Sequence, residues 1–287
     1  MLSNMIVSLG VGPLLSKQFD GRRPQRQVRI SQRLKVAEVK CAHDAPFAPI
    51  KNTTVVVTGA NRGIGLEFCK QLLEKENKVV AACRNKTPEL LEMVSKYPDQ
   101  MFITELDVSS SESIGAWAEN LATEVDHVDV CINNAGTTGL DGYNRWTLES
   151  VSAEDLLHTF KINTVGPTLV VQQLLQQGLI GRNGKSVIGN VTSKVGSVDD
   201  NGSGGGYAYR ASKSALNNIN KSMSIDLNDR GITCVLLHPG WVRTAMTQGR
   251  GLIDTDQCVE GLIQVMEGEA GPLNGCWYDY KFEAIPW

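Results

Sequence analysis

Tyr209 and Lys213 stand four residues apart in Tyr209-Arg210-Ala211-Ser212-Lys213, a run that reads as helix, so phenol and ammonium share one helix face. An ammonium beside a phenol favours the phenolate, drawing a hydroxyl whose ordinary pKa is about 10 toward proton exchange near neutrality. The chemistry this spacing supports is acid/base catalysis. An isolated Tyr-x-x-x-Lys is equally an ordinary surface pair, so its weight depends on what accompanies it.

The elements that must position these groups begin at Thr53 to Thr58, a β-branched run that reads as a buried strand. It leads into Gly59-Ala60-Asn61-Arg62-Gly63-Ile64-Gly65 and then a helical pattern through Leu66, Phe68, Cys69, Leu72 and Leu73. Glycines between a strand and a helix permit a tight turn and let the backbone approach a pyrophosphate, which free amides and the positive end of the helix dipole stabilise. The spacing Gly-x-x-x-Gly-x-Gly differs from the Gly-x-Gly-x-x-Gly of many dehydrogenases, and a plain turn is the bland alternative. A second strand, Lys78 to Cys83, ends close to the roughly 20-residue offset where an NAD enzyme places an acid for the ribose 2′-hydroxyl. No acid stands there. Cys83 and Arg84 do, and with Arg62 inside the glycine turn two guanidinium groups can converge on a 2′-phosphate, which favours NADPH over NADH. Taken singly, either arginine is as well explained as a solvated surface charge.

Gly59 to Gly65 with the preceding Thr58, Asp107-Val108, Asn133-Asn134-Ala135-Gly136, Asn163, Ser193, Tyr209 with Lys213, and Pro239-Gly240 follow one another in an order that resembles the short-chain dehydrogenase/reductase family. The resemblance spans about Thr53 to Trp287. Tyr207 to Asn217, Leu237-His238-Pro239-Gly240-Trp241-Val242 and Trp287 look like the sniffer-type carbonyl reductases and C-factor-like proteins of that family. The resemblance implies that Tyr209 protonates a carbonyl oxygen while NADPH delivers hydride to the carbon, and that Lys213 lowers the tyrosine pKa and holds the nicotinamide ribose. Ser193 would hydrogen-bond the substrate oxygen, and Asn163 would fix a water and Lys213 in a proton relay. Without the family, Ser193 reads as a turn residue and Asn163 as a local backbone bonder.

For the cofactor, the resemblance implies contacts from Thr58, Gly59, Asn61, Arg62, Gly63, Ile64, Gly65, Arg84, Asp107, Val108, Asn134, Ala135, Gly136, Tyr209, Lys213, Pro239, Gly240, Val242 and Thr244. Asp107 would face the adenine; read alone, it is a helix N-cap ahead of Ser109 to Val125. Asn133 to Gly136 would close the trough beneath the ribose. Thr244 would reach the nicotinamide amide, with Trp241 to Ile253 as a flap over the substrate. Arg243 in that flap reads either as an attractor for an anion or, more simply, as a solvent-facing charge. No metal is implied.

Length and composition agree with a single domain of this kind. The chain has 287 residues, a formal charge of −3 and no basic cluster in the domain, which argues against a nucleic-acid partner. Thr53 to Thr58, Lys78 to Cys83, Met101 to Leu106, Val128 to Asn133, Ser186 to Val191, Ile232 to His238 and Cys276 to Tyr280 read as strands with helical runs between. That alternation predicts an α/β, Rossmann-like doubly wound parallel sheet with helices on both faces. No apolar stretch is long enough for a transmembrane segment. The seven cysteines show no Cys-x-x-Cys or other metal spacing, and Cys83, Cys131 and Cys234 read as small buried hydrophobes, so neither a disulfide framework nor a metal is expected. His238 before Pro239 reads as structural.

Residues 1–50 form an N-terminal extension ahead of a dehydrogenase/reductase domain at 51–287. From Met1 to Ala37 the only acid is Asp20, against Lys17, Arg22, Arg23, Arg26, Arg29, Arg33 and Lys35. Such a leader reads as an organelle transit peptide, for chloroplast before mitochondrion, with a disordered cytoplasmic tail or a docking arm as alternatives. Asn52-Thr53-Thr54, Asn85-Lys86-Thr87 and Asn190-Val191-Thr192 have the form of glycan acceptors, but sugars at Asn85 or Asn190 would obstruct the cofactor site or the sheet.

Asp199 to Gly206 reads as a polar, glycine-rich loop too flexible to pack, lying where substrate would enter. The monomeric carbonyl reductases of the family carry a longer insertion here, so this chain is expected to be a homodimer through helices near Thr164 to Leu179 and Tyr209 to Asp229. Val170, Val171, Leu174 and Leu175 offer the apolar face, and core packing explains them as well. Two functions stand: an NADPH-dependent reductase of an aldehyde or ketone carbonyl, with a small-molecule carbonyl or alcohol as partner, and a non-catalytic nucleotide-holding or signalling subunit that kept the fold.

Overall fold

The computed structural model describes residues 45–181 and 185–287; the basic leader and its expected organelle address lie outside the described residues. Seven parallel strands form one sheet in the order β3-β2-β1-β4-β5-β6-β7. They are β1 (Thr54–Thr58), β2 (Lys78–Cys83), β3 (Met101–Glu105), β4 (Val130–Asn133), β5 (Ser186–Val191), β6 (Ile232–His238) and β7 (Trp277–Asp279). The helices are α1 (Gly63–Glu74), α2 (Pro88–Lys96), α3 (Ser111–Glu124), α4 (Ala153–Phe160), α5 (Gly166–Gln176), α6 (Tyr207–Asp226) and α7 (Thr255–Met266). The expected doubly wound α/β sheet is what the chain adopts.

Alternation along each strand splits the core in two. Val55, Val57, Val130, Ile132, Val187 and Val235 join the cluster beneath α1, α2 and α7. Val56, Cys131, Ile188 and Cys234 point the other way, into the cluster beneath α3 and α5. Strands apolar on both faces are what a parallel sheet covered on both sides requires. From β1 the chain winds outward to β2 and β3, then crosses back to β4 on the other side of β1. That reversal opens a crevice at the carboxyl ends of β1 and β4, where such sheets bind ligands.

Several expectations need correction. β4 begins at Val130 rather than Val128, because the Val128 N–H is taken by the Leu179 carbonyl at 2.8 Å. α3 is capped by Ser110, whose hydroxyl accepts from the Ser113 N–H at 3.1 Å, and not by Asp107. Val170, Val171 and Leu174 are at most 1% exposed and belong to the core, with Leu175 packed against it, so they offer no outer face. The apolar side chains left exposed on α4 are Leu156 and Leu157, with Phe160 at its end. Residues 45–50, assigned to the extension from sequence, pack onto the domain: Ile50 is fully buried and its N–H donates to Glu267 at 2.8 Å. Among the described residues no helix is long and apolar enough to cross a membrane.

Candidate active site

The turn after β1 shows why glycines stand there. Gly59 sits at φ 64°, and a Cβ on it would lie 2.9 Å from Ala135 Cα. A Cβ on Gly65 would overlap the Gly59 carbonyl and come within 2.6 Å of Asn134 Nδ2. Asn134 and Thr58 hold this turn from behind. The Thr58 hydroxyl accepts from the Asn134 and Ala135 N–H groups, both at 3.1 Å, and Asn134 Nδ2 donates to the Thr58 and Gly59 carbonyls at 2.9 and 3.3 Å. Both side chains are therefore engaged by backbone, and they shape the cradle rather than line it.

Helix α1 opens at this turn with no side-chain cap and no acid in its first turn, so its leading amides and dipole are free for an anion. Arg62 and Arg84 are exposed, and neither forms an ion pair among the described residues. Beyond β3, Asp107 accepts from the Ser109 N–H at 2.9 Å and hydroxyl at 2.7 Å. Partial burial pushes its carboxyl up, but the Ser109 bonds and the nearby Arg84 and Lys161 charges outweigh this and leave it below its usual value. The cradle a Cβ would fill, the uncapped helix and the two unpaired arginines fit a dinucleotide carrying a 2′-phosphate. The Val242 side chain is 3% exposed and sits in the core, and Ile64 packs against the same cluster. Asn61 accepts from the Thr87 hydroxyl through its carbonyl at 3.3 Å. The Val108 carbonyl lies against Gly166, where a Cβ would come within 2.6 Å of it. Pro239 is buried, Gly240 turns at φ 79°, and Thr244 Cγ2 lies 3.4 Å from where a Gly63 Cβ would be, bringing the flap over the glycine turn.

The four polar groups converge at the carboxyl end of the central strands. Ser193 follows β5, and its hydroxyl lies near enough to the Tyr209 phenol to lower its pKa. Lys213 is buried one turn further along α6, with Nζ 5.9 Å from the Tyr209 ring centroid. Its ammonium donates to the Val191 carbonyl at 2.8 Å. That is a neutral acceptor, and an ammonium carries two further protons able to donate. Asn163 accepts from the Thr137 N–H and donates to the Thr137 carbonyl, both at 2.8 Å, and donates to Ser212 Oγ at 3.0 Å. It lies in a π-helical segment, Lys161–Val165, between α4 and α5. Such bulges concentrate at functional sites because they re-aim side chains within an otherwise regular helix. Gly136 lies between these groups: a Cβ there would be 3.3 Å from Asn163 Oδ1 and 3.8 Å from Lys213 Nζ.

The electrostatics differ from the sequence expectation. Burial pushes the Tyr209 phenol up to about 12; the Ser193 hydroxyl lowers it, and the nearby Tyr143 phenol raises it. Burial also pushes Lys213 down to about 8. Burial outweighs the Ser193 interaction in setting the phenol, while the Lys213 ammonium donates to the Val191 carbonyl. Near pH 7 Tyr209 carries its proton, the state a proton donor needs.

Residues 53–252 match the short chain dehydrogenase family. The chain belongs to that family. The C-signal of Myxococcus xanthus is 40% identical to this short-chain dehydrogenase over 176 residues, covering 60% of this chain and 99% of that protein. The 1-hydroxy-2-glutathionyl-2-methyl-3-butene dehydrogenase of Rhodococcus sp. (strain AD45) is 33% identical over 228 residues, 78% of this chain and 94% of the relative. Among solved structures, an NADPH-bound carbonyl reductase from chicken fatty liver shares 31% identity with a TM-score of 0.72, covering 83% of this chain and 100% of the other. Carbonyl reductase Sniffer of D. melanogaster shares 29% with a TM-score of 0.75 over the same shares of the two chains.

One loop of this short-chain dehydrogenase departs from the sequence reading. The glycine-rich segment does pack: a Cβ on Gly205 or Gly206 would lie 2.7 or 2.5 Å from the Trp146 ring, and the Gly206 N–H donates to the Trp146 carbonyl at 2.7 Å. Trp146 in turn lies 6.5 Å from the Tyr209 ring and 5.0 Å from Tyr143, centroid to centroid, and walls the Tyr209 phenol. Arg243 is the solvent-facing charge the sequence suggested, and its guanidinium forks onto both Asp254 oxygens at 2.6 Å, closing the flap at its base. Sequence reasoning also missed a row of buried amides. Asn133 and Asn190 are register partners on β4 and β5, Asn133 donates to Asn190 at 2.9 Å, and Asn190 donates to Asn220 of α6 at 2.9 Å. The β4–β5 register and the packing of α6 on the sheet bring them together.

Proposed function

We propose that this short-chain dehydrogenase is an NADPH-dependent carbonyl reductase acting on an aldehyde or ketone. The observation that carries the reading is the convergence of Ser193, Tyr209 and a buried Lys213, its Nζ 5.9 Å from the Tyr209 ring centroid, at the mouth of a dinucleotide cradle. Reduced nicotinamide, when bound, supplies the hydride. Tyr209, protonated at neutral pH, donates its proton to the carbonyl oxygen as negative charge develops there, and the Ser193 hydroxyl gives that oxygen a second hydrogen bond. Lys213 holds the ribose hydroxyls with the protons it does not give to Val191. Arg62 and Arg84 hold the 2′-phosphate bidentately. Asn163 fixes the Thr137 segment at the site's rim, and Trp146 with Tyr143 supplies an apolar, flat wall beside Tyr209. The name of the NADPH-bound structural neighbour supports both cofactor and reaction. A panel of small aldehydes and ketones, with NADPH consumption followed by absorbance, tests this; no consumption with any of them rejects it.

The 40% identity to a protein named C-signal favours a second reading, a signalling protein that keeps the fold. Asn163, Ser193, Tyr209 and Lys213 favour the enzyme, because a signalling surface has no physical need for four converging polar groups. The homodimer remains part of the proposal, now with Leu156, Leu157 and Phe160 as its exposed apolar contributors; sedimentation as a monomer at micromolar concentration rejects it. The organelle address is likewise proposed from the basic leader, and an intact Met1 on the native protein counts against cleavage.

A further inference from the structure

Ser193 ends the approach from β5 and Tyr209 lies in the first turn of α6, so their contact depends on the intervening residues 194–206. Gly204, Gly205 and Gly206 run consecutively there, all at positive φ. Such a segment has much conformational freedom to lose, and by itself it cannot hold two catalytic groups in register. Arg210, the residue after Tyr209, ties it down. Its Nε donates to the Gly205 carbonyl at 3.0 Å, Nη1 to the Val195 carbonyl at 3.0 Å and Nη2 to Ser203 Oγ at 2.8 Å. Val195 lies just beyond Ser193 and Gly205 just before α6, so one guanidinium bridges the outgoing and returning arms of the loop. All three acceptors are neutral, and the rigid planar fork meets each with a separate N–H. Ser214 adds a second tie from the same helix face, donating to the Gly196 carbonyl at 2.6 Å.

We propose that Arg210 is a positioning residue which fixes the Ser193 hydroxyl against the Tyr209 phenol by clamping the two arms of the 194–206 loop. It acts through Ser193 and needs no contact with substrate or cofactor. Its kinetic consequences rest on the carbonyl reductase reading. A displacement of about 1 Å at a reacting group costs about 100-fold in rate. The experiment compares the parent with Arg210→Ala and Arg210→Lys, the latter keeping the charge but losing the fork. In both variants kcat is expected to fall about 100-fold, with KM for NADPH within about twofold of the parent. The pH profile of alcohol oxidation is expected to move to higher pH, since Tyr209 loses the Ser193 interaction that lowers its pKa, a change that loss of stability alone does not produce. Amide hydrogen exchange in 194–206 is expected to rise about tenfold or more while the central strands are unchanged.

Turnover within about twofold of the parent in Arg210→Ala overturns the proposal, as does lost turnover with unchanged exchange in 194–206. Should Arg210→Ala not fold, the same readouts in Arg210→Lys decide. If the parent reduces no carbonyl, the enzymatic reading fails by that result, and the clamp is judged by exchange alone: unchanged protection of 194–206 in the variants overturns it.

Discussion

Asn163 grips the backbone of Thr137 with both ends of its amide, accepting the N–H and donating to the carbonyl, each at 2.8 Å. Its second N–H reaches Ser212 Oγ at 3.0 Å, and Ser212 donates to the Tyr209 carbonyl at 2.8 Å. One side chain thereby links the rim after β4, the π segment and the first turn of α6.

Asn163→Ala leaves the Thr137 backbone and Ser212 without these partners in a buried site, a loss of about 1–3 kcal/mol. Denaturant unfolding of the variant should show that loss together with reduced turnover. Unchanged stability would mean the grip contributes nothing, and unchanged turnover would remove the proton relay.

Tyr209→Phe removes the proton donor and keeps the ring beside Trp146. Reduction should fall by about 100-fold to 10,000-fold while NADPH affinity, followed by fluorescence titration, stays close to the parent's. A variant that reduces carbonyls as fast as the parent rejects Tyr209 as the acid.

Arg62→Ala and Arg84→Ala each remove a guanidinium from the expected 2′-phosphate site. A charged hydrogen bond contributes roughly 1.5–3 kcal/mol, so KM for NADPH should rise by roughly 10-fold or more in each variant. NADH, which has no 2′-phosphate, serves as the control and should change little. Equal losses with both cofactors would show that the arginines act on something other than the phosphate.

His238 offers a pH signature. Its Nδ1 accepts from the Lys194 N–H at 3.2 Å, holding the peptide that follows Ser193. Burial pushes the ring down to about 4, with Lys194 lowering it further and Asp279 and Asp200 opposing. The unfolded ring, near its ordinary 6.5, takes up a proton that the folded ring refuses, so stability is lost as pH falls from 6.5 to about 4. The loss is of order 3 kcal/mol at the acid end. His238→Asn, which places an acceptor near Nδ1 and does not titrate, should flatten the dependence of unfolding free energy on pH in that window. The same slope in variant and parent would show that other groups carry the acid sensitivity.

The glycine turn, the Tyr209–Lys213 spacing and the strand alternation were legible because each rests on local geometry: a turn needs glycine where φ is positive, a helix repeats every turn, and a buried strand is apolar. The Arg210 clamp was not legible, since its acceptors include the Val195 and Gly205 carbonyls, and every residue has a carbonyl. The flexible reading of Gly204 to Gly206 failed for a related reason. Composition reports the freedom of the unfolded segment and not the tryptophan that fills the space left by the missing side chains.

From its amino-acid order alone this chain determined a parallel sheet, a glycine turn ahead of α1 and the one-turn spacing of Tyr209 and Lys213. Tertiary structure decided the protonation state and the placement of those groups. Burial removes water from the Tyr209 phenol and pushes its pKa up, and the fold aims the Lys213 ammonium at the Val191 carbonyl. Desolvation and hydrogen-bond direction depend on what arrives from distant segments, and neighbouring letters in a sequence do not contain that information.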